Sequence, residues 1–147
     1  MVDDLYQDLI LDHSKHPRNC RAMDDANRKA EGYNPLCGDK LKLYVKMDGD
    51  IVKDASFLGS GCAISTASAS LMTESLKGKS RDEALKLLDK FHNLLTTDTP
   101  VTKDLGKLIV FCGVRDYPAR VKCATLAWHT LKSALDGVAE PVTTEDE

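Results

Sequence analysis

The chain has 147 residues, of which 42% are hydrophobic, and a formal net charge of −3. This length fits one domain with a sizeable core, and the charge balance lacks the basic surface that a nucleic-acid partner requires. No apolar run approaches the roughly 20 residues that span a bilayer, and the acidic residues Asp3 and Asp4 are unlike the start of a signal peptide. We therefore expect a cytoplasmic protein that binds neither nucleic acid nor membrane.

The first half of the chain predicts a helix, a loop and a β-hairpin. Asp3 or Asp4 can cap a helix that ends before Pro17, and the polar residues 17–36 show no period and are interpreted as a loop. Residues 41–47 alternate apolar and charged side chains, Asp48-Gly49 indicates a tight turn, and residues 51–57 return. Lysines on one face of the hairpin predict a wet side, so helices must cover the other side.

The second half predicts mainly helices. Small residues dominate positions 63–72, a capping box at 80–83 opens another helix, residues 105–114 favour a helix over a strand, and a last helix follows Tyr117-Pro118. The elements together predict an α+β fold, in which a small antiparallel sheet, made of the hairpin plus one strand, is covered by helices. The domain is expected to span residues 1–137, with a disordered acidic tail over 138–147.

The five cysteines are the main candidates for chemistry. A reducing compartment keeps thiols for metals or reactions, and an odd number fits a closed disulfide framework poorly. They are Cys20, Cys37, Cys62, Cys112 and Cys123.

Three of these cysteines stand at the ends of predicted elements. Cys37 precedes the hairpin and Cys62 follows it, so the hairpin should bring them together, with Asp39 beside them. Cys123 lies near the predicted start of the last helix, where the helix dipole favours a thiolate. Cys37, Asp39, Cys62 and Cys123 would form a tetrahedral Cys3Asp site for Zn²⁺.

Other interpretations of the same residues remain open. Each cysteine taken singly could be a small buried hydrophobe, although the neighbouring Gly38 and Gly61 leave backbone room at two of the thiols. Cys20 and Cys112 have no assigned role. The Gly59-Ser60-Gly61 stretch lacks the third glycine of a dinucleotide loop. A cysteine hydrolase would need an activating histidine, and no motif surrounds any of the four: His13, His16, His92 and His129.

Four stretches together resemble the IscU/NifU-N family of iron–sulfur cluster assembly proteins, over nearly the whole chain to about Leu135. The stretches lie at residues 5–19, Asn34-Pro35-Leu36-Cys37-Gly38-Asp39, Gly59-Ser60-Gly61-Cys62-Ala63-Ile64-Ser65 and Cys123-Ala124-Thr125-Leu126. The resemblance implies a SufE/IscU-like fold. Scaffold members carry a histidine before the third cysteine and an LPPVK chaperone-binding segment, whereas this chain has Lys122 there and a different sequence at 117–121. These features look like the SufU branch.

The SufU-like resemblance implies a zinc-dependent sulfurtransferase that accepts persulfide sulfur from a SufS-type cysteine desulfurase and passes it on, with a SufBCD-type scaffold as a possible acceptor. It implies zinc held by the four predicted ligands, with Cys37 released as the acceptor thiolate when a desulfurase histidine takes its place. Asp39 is expected to loosen with Cys37, while Cys62 and Cys123 anchor the ion. Arg120 could stabilise a thiolate or persulfide, or be an ordinary solvated side chain.

Two alternatives to the transfer function share the same ligands. The first is an IscU-type scaffold on which a [2Fe–2S] cluster is assembled and transferred to apoproteins. The second is a zinc-stapled domain without chemistry, which the presence of Asp39 disfavours because closed structural sites usually use cysteine and histidine.

Overall fold

The computed structural model describes residues 2–35, 38–96, 103–114, 117–137 and 142–143. Its helices are α1 (Val2–Lys15), α2 (Ala63–Leu76), α3 (Arg81–Thr96) and α4 (Pro118–Asp136), with a 3-10 helix over Lys103–Val114. Its strands are β1 (Arg28–Asn34), β2 (Asp39–Asp48), β3 (Ile51–Ser60) and β4 (Val142–Thr143). This architecture confirms the predicted α+β class.

The sheet has the strand order β3-β2-β1-β4. The predicted hairpin is confirmed as β2 and β3, which pair in antiparallel fashion around a turn in which Gly49 has a φ of 61°. β1 pairs with β2 in antiparallel fashion, and the short β4 runs parallel to β1. β4 lies within the predicted tail, so residues 142 and 143 are ordered against the sheet, and disorder of the other residues of 138–147 stays a prediction.

The interpretation of residues 17–36 as a loop is wrong for residues 28–34, which form β1. Its inward-facing residues are Ala30, Gly32 and Asn34, which are small or polar and give no apolar alternation. Packing against α4 decides the structure instead, because a Cβ at Gly32 would overlap the Thr130 hydroxyl. The missing side chain at Gly32 therefore allows α4 to lie close to β1.

The remainder of that segment is tied to the outer face of the sheet. Arg21 pairs with Asp54 at 2.6 Å, and Lys46 pairs with Asp25 at 2.7 Å. Met23 is buried although it belongs to no regular element. Residues 20–27 consequently cover part of the sheet face that the lysine pattern predicts to be wet.

The core lies between the inner sheet face and the helices. Small residues of α2 allow α4 to approach, and the Ser68 hydroxyl donates to the Ala124 carbonyl while accepting from the Trp128 indole N–H at 3.2 Å. Trp128 stacks on Phe91 with ring centroids 4.7 Å apart. This packing fixes the position of α4, which carries Cys123.

Local signals set most helix ends. The predicted capping box is confirmed, because Ser80 and Glu83 exchange two side-chain-to-backbone hydrogen bonds of 3.1 Å at the start of α3. α4 starts with Pro118 and ends at Gly137, which has a φ of 72°. None of the described helices is both long and apolar enough to cross a membrane.

Candidate metal centre

Three potential ligands converge at one end of the sheet. The carboxylate of Asp39 and the thiols of Cys62 and Cys123 place one ligand atom each within 4.8 Å of one another. Asp39 is fully buried, Cys123 is 3% exposed and Cys62 is partly buried. The structure thus brings together three of the four predicted ligands, while Cys37 lies outside the described residues.

The hairpin positions Asp39 and Cys62. Asp39 is the first residue of β2, and Cys62 follows the end of β3, where Lys40 pairs with Ser60. Asp39 Oδ1 accepts a hydrogen bond of 2.9 Å from the backbone N–H of Cys62. A Cβ at Gly61 would lie 2.9 Å from the Asp39 Cγ, so glycine is required for the carboxylate to approach. This contact gives Gly61 a more specific role than the backbone room expected from the sequence.

Cys62, and not Cys123, occupies a helix start. Cys62 is the N-cap of α2, and its Sγ accepts a hydrogen bond of 3.4 Å from the backbone N–H of Ser65. α4 begins at Pro118, so Cys123 is the sixth residue of the helix and faces inward from its second turn. The prediction of a helix-start thiolate at Cys123 is therefore wrong, because the Pro at the first helical position sets an earlier start.

The Cys62 thiol is more acidic than an ordinary cysteine thiol. The pKa of Cys62 lies at about 6 instead of 9.0, chiefly because of a hydrogen bond with the Cys123 thiol and also because of the Ser65 N–H. Burial and the charge of Asp39 raise the pKa of Cys62, but by less. Thiolate is the form that binds metals and attacks sulfur, so Cys62 is prepared for either role near neutral pH.

A buried amide completes the inner side of the site. Asn34 is fully buried, and its Nδ2 lies 3.5 Å from both Cys123 Sγ and Asp39 Oδ2. We call Asn34, Asp39 and Cys123 the ligand wall. In the sequence, Asn34 stands out only as part of the Asn34-Pro35-Leu36-Cys37-Gly38-Asp39 motif. Its place opposite Asp39 depends on β1, for which the sequence carries no strand signal.

The donor set fits a tetrahedral ion. Zn²⁺ bound by thiolates at about 2.3 Å needs neighbouring ligand atoms about 3.7 Å apart, and a small contraction of the observed cluster meets that spacing. Three protein donors leave one position for a fourth ligand. Soft thiolates with one carboxylate also suit iron, so the geometry alone is compatible with either metal.

An open groove of about 840 Å³ lies beside the ligand wall and includes Cys62 and Cys123 in its lining. Its walls come from α1, the 3-10 helix and the first turns of α2 and α4, and its apolar lining includes Ile10, Leu11, Ile64, Val110 and Val114. Arg120 also lines the groove, is exposed, and lies with its guanidinium carbon 4.8 Å from the centre of the Tyr117 ring. The partly buried Cys62 thiol can therefore be approached from this side, and the buried Cys123 lies directly behind the groove surface.

The other candidates lie apart from the centre. Cys20 is exposed and forms an isolated backbone β-bridge with Phe57. Cys112 packs against the core. None of the four histidines belongs to the described donor cluster. His92 and His129 contact each other edge to face, 5.9 Å between ring centroids.

Comparisons with known proteins agree with the resemblance seen in the sequence. The chain is 43% identical over 135 residues to the zinc-dependent sulfurtransferase SufU of Bacillus subtilis, covering 91% of each chain. It is 42% identical over 135 residues to the iron–sulfur cluster assembly scaffold protein IscU of Streptococcus pyogenes, covering 91% of this chain and 84% of that one. A crystal structure of a candidate scaffold protein of the SUF system, FiSufU from Fervidobacterium islandicum, matches with a TM-score of 0.82 at 40% identity, covering 86% of this chain and 93% of that one. The model of the NifU-like N-terminal domain matches residues 5–135, and the chain therefore belongs to that family.

Proposed function

We propose that the protein is a zinc-dependent sulfurtransferase of iron–sulfur cluster biogenesis, which accepts sulfur from a SufS-type cysteine desulfurase. One observation carries the proposal: two thiols and a carboxylate converge within 4.8 Å, and the thiols lie beside an open groove. A site that is buried on one side and accessible on the other can hold an ion and still admit a reacting partner. The similarity to SufU supports the same function.

Cys37 supplies the fourth ligand in this proposal. Only Gly38 separates Cys37 from Asp39, so the covalent chain keeps the two Cα atoms within about 7 Å of each other. Gly38 has a φ of 71°, a left-handed conformation that favours glycine at this turn. When bound, zinc supplies a Lewis acid that keeps the thiolates deprotonated and masked until one is released.

The sulfur-transfer step uses the released Cys37 thiolate. It attacks the outer sulfur of the desulfurase persulfide, a new S–S bond forms on Cys37, and the old S–S bond breaks with its electron pair leaving on the desulfurase cysteine. The products are a Cys37 persulfide and a desulfurase thiolate, so no external oxidant or reductant is needed. The persulfide then passes its outer sulfur to an acceptor, for which a SufBCD-type scaffold is our candidate.

Arg120 is our candidate for stabilising the sulfur anions in the groove. Its side chain is exposed on the first turn of α4 and lines the same groove as Cys62 and Cys123. Its contact with the ring of Tyr117 holds the guanidinium at the groove rim. An exposed cation at this place can interact with an incoming persulfide without occupying the metal position.

A scaffold function is the alternative, because the chain is almost as similar to an IscU scaffold as to SufU. The same donors could hold a [2Fe–2S] cluster that is assembled on the protein and handed on. Lys122 stands where scaffold members carry histidine, so this chain offers one fewer nitrogen donor. That difference favours the transfer function.

The decisive experiment measures the bound metal and the desulfurase activity together. The purified protein should carry one zinc ion per chain and accelerate cysteine desulfuration by a SufS-type enzyme. The acceleration should disappear in Cys37→Ala and persist in Cys20→Ala, a matched control for an exposed cysteine away from the centre. Iron with acid-labile sulfide, combined with no acceleration, would establish the scaffold alternative instead.

A further inference from the structure

The polar side chain of Asn34 is fully buried, so its burial must be compensated by hydrogen bonds. It is the last residue of β1 and is fully buried on the inner face of the strand. A primary amide carries two N–H donors and a carbonyl, and burying it is unfavourable unless these groups are hydrogen-bonded. Asn34 therefore has partners at this end of the sheet that compensate its burial.

Two of these partners belong to the donor cluster. The Nδ2 atom lies 3.5 Å from Cys123 Sγ, an ordinary distance for an N–H donor on sulfur, and 3.5 Å from Asp39 Oδ2. One amide nitrogen has two hydrogens, so it can donate one to each ligand. The Asn34 amide thus links two metal-binding side chains that come from different parts of the fold.

The fold delivers Asn34 to this place by two independent contacts. Asn34 and Asp39 are directly opposite in the β1–β2 ladder, which places their side chains on the same face of the sheet. The close approach of α4 to β1 at Gly32 brings the helix that carries Cys123 over the same strand. The juxtaposition therefore follows from strand register and helix packing, and not from a flexible loop.

We propose that Asn34 is a positioning residue that holds Asp39 and Cys123 as permanent ligands and keeps the Cys123 sulfur from accepting sulfur when Cys37 is released. A hydrogen bond to a thiolate stabilises its negative charge and makes it less nucleophilic. Groups that orient metal ligands commonly change metal affinity by about 10–100-fold. The second half of the proposal rests on the proposed sulfurtransferase function, whereas the first half does not.

The test compares zinc affinity among variants by competition with a chromogenic chelator. Asn34→Ala removes both donors, and Asn34→Leu removes them at nearly constant volume without adding a charge. We expect zinc affinity to fall at least tenfold in both variants. The absorption spectrum of the cobalt-loaded protein should change with them, because the ligand geometry relaxes.

Asn27→Ala is the matched control. Asn27 is another asparagine with two hydrogen bonds, to the N–H and the carbonyl of Met47, but it is exposed and distant in the ladder from the donor cluster. Its loss should lower the melting temperature of the metal-free protein and leave zinc affinity unchanged. If Asn34→Ala does not fold, Asn34→Ser, which keeps a smaller hydroxyl donor, serves for the same measurement.

The outcomes separate this proposal from the proposed function. The positioning role would be overturned if both Asn34 variants had a zinc affinity within twofold of the parent protein and an unchanged cobalt spectrum. This holds whatever the desulfurase assay gives. With a desulfurase, peptide mapping should find persulfide on Cys37 alone in the parent protein and also on Cys123 in Asn34→Ala. A parent protein that accepts no sulfur, with the zinc effect intact, would refute the sulfurtransferase function and leave the ligand-positioning role of Asn34 standing.

Discussion

The ligand wall and the groove meet at Cys123, which belongs to both, and they are built differently. The ligand wall consists of buried side chains that are joined by hydrogen bonds and fixed by the sheet register and by α4. The groove has apolar walls from α1 and the 3-10 helix, and its rim residues Leu11 and Tyr117 are 47% and 52% exposed. In the proposed function, we therefore expect the ligand wall to retain the metal and the groove to receive the partner.

The position of Asp39 changes one expectation from the sequence. The sequence predicts that Asp39 loosens together with Cys37, because a hard oxygen is the weakest donor among sulfurs. In the fold, however, Asp39 is fully buried and accepts a hydrogen bond from the Cys62 backbone, and we therefore propose that it stays with the retained ligands. This geometry favours Cys37 alone as the donor that is released.

Removing zinc from the ligand wall should have the largest effect of the changes considered, and the effect should appear as a loss of thermal stability. A ligand present at a thousand times its Kd stabilises the folded state by about 4 kcal/mol, which corresponds to a loss of about 10 °C in Tm when it is removed. The comparison is a thermal melt with and without a chelator, with Asp39→Ala as a variant on which the chelator should have little effect. An identical melting curve after full zinc removal would contradict the view that the centre staples the fold.

Gly61→Ala should break the ligand wall and spare the groove. The new Cβ would meet the buried Asp39 carboxylate, and overpacking of this kind costs about 2 kcal/mol, or roughly 30-fold in zinc affinity. Gly113→Ala is the matched control, because a Cβ on this groove residue meets nothing within 4 Å. Chelator competition should therefore separate the two alanine variants, and equal affinities would show that Asp39 can move freely.

Arg120→Ala should affect the groove and spare the ligand wall. An exposed cation contributes up to about 1 kcal/mol, so we expect a roughly fivefold loss in desulfurase acceleration with unchanged zinc affinity. Arg120→Lys should retain most of the acceleration because it keeps the charge. Full activity in the alanine variant would identify Arg120 as an ordinary solvated side chain.

Lowering the pH should destabilise the packing of α1, which forms one wall of the groove. His13 is fully buried, its Nδ1 bonds the Ser70 hydroxyl at 2.7 Å, and its Nε2 has no hydrogen-bond partner among the described residues. Burial, assisted by the charge of Arg18, lowers the pKa of His13 below the usual 6.5. The unfolded chain thus takes up the proton more readily, and the stabilisation that exists above pH 6.5 is lost as the pH falls below it.

The measurement for His13 is the Tm at pH 7.5 and pH 5.5, in zinc-free protein and in His13→Gln. The variant should lose less Tm on acidification, by about 3 °C for each kcal/mol of the histidine contribution. The low pKa of Cys62 also weakens the metal-free fold as the pH falls through about 6, but it does so equally in both proteins. Parallel pH profiles would exclude His13 as the source of the loosening.

The sequence sufficed for the features that have local signals. The hairpin followed from alternation and an Asp-Gly turn, and the convergence of Asp39 with Cys62 followed from the hairpin. The start of α3 followed from its capping box. These features depend on neighbouring residues, so periodicity and turn chemistry reveal them.

The features that the sequence did not reveal depend on distant packing. β1 contains few strand-forming residues and becomes a strand because Gly32 allows α4 to pack on it. The role of Asn34 requires that strand and its register with β2. The Cys62 N-cap was also missed, although the Gly-Cys boundary before a run of small residues is a signal that could have indicated it.

The ligands of this centre are widely separated along the chain, which has a consequence for how the protein is made. Asp39 and Cys62 lie in the first half of the sequence, whereas Cys123 lies in the last helix. During synthesis, the ribosome releases the early donors long before the segment that completes the cluster. A stalled or truncated product that lacks α4 lacks Cys123, which is both the third donor and the main cause of the low pKa of Cys62. Full-affinity metal loading therefore reports that translation has passed nearly the whole domain.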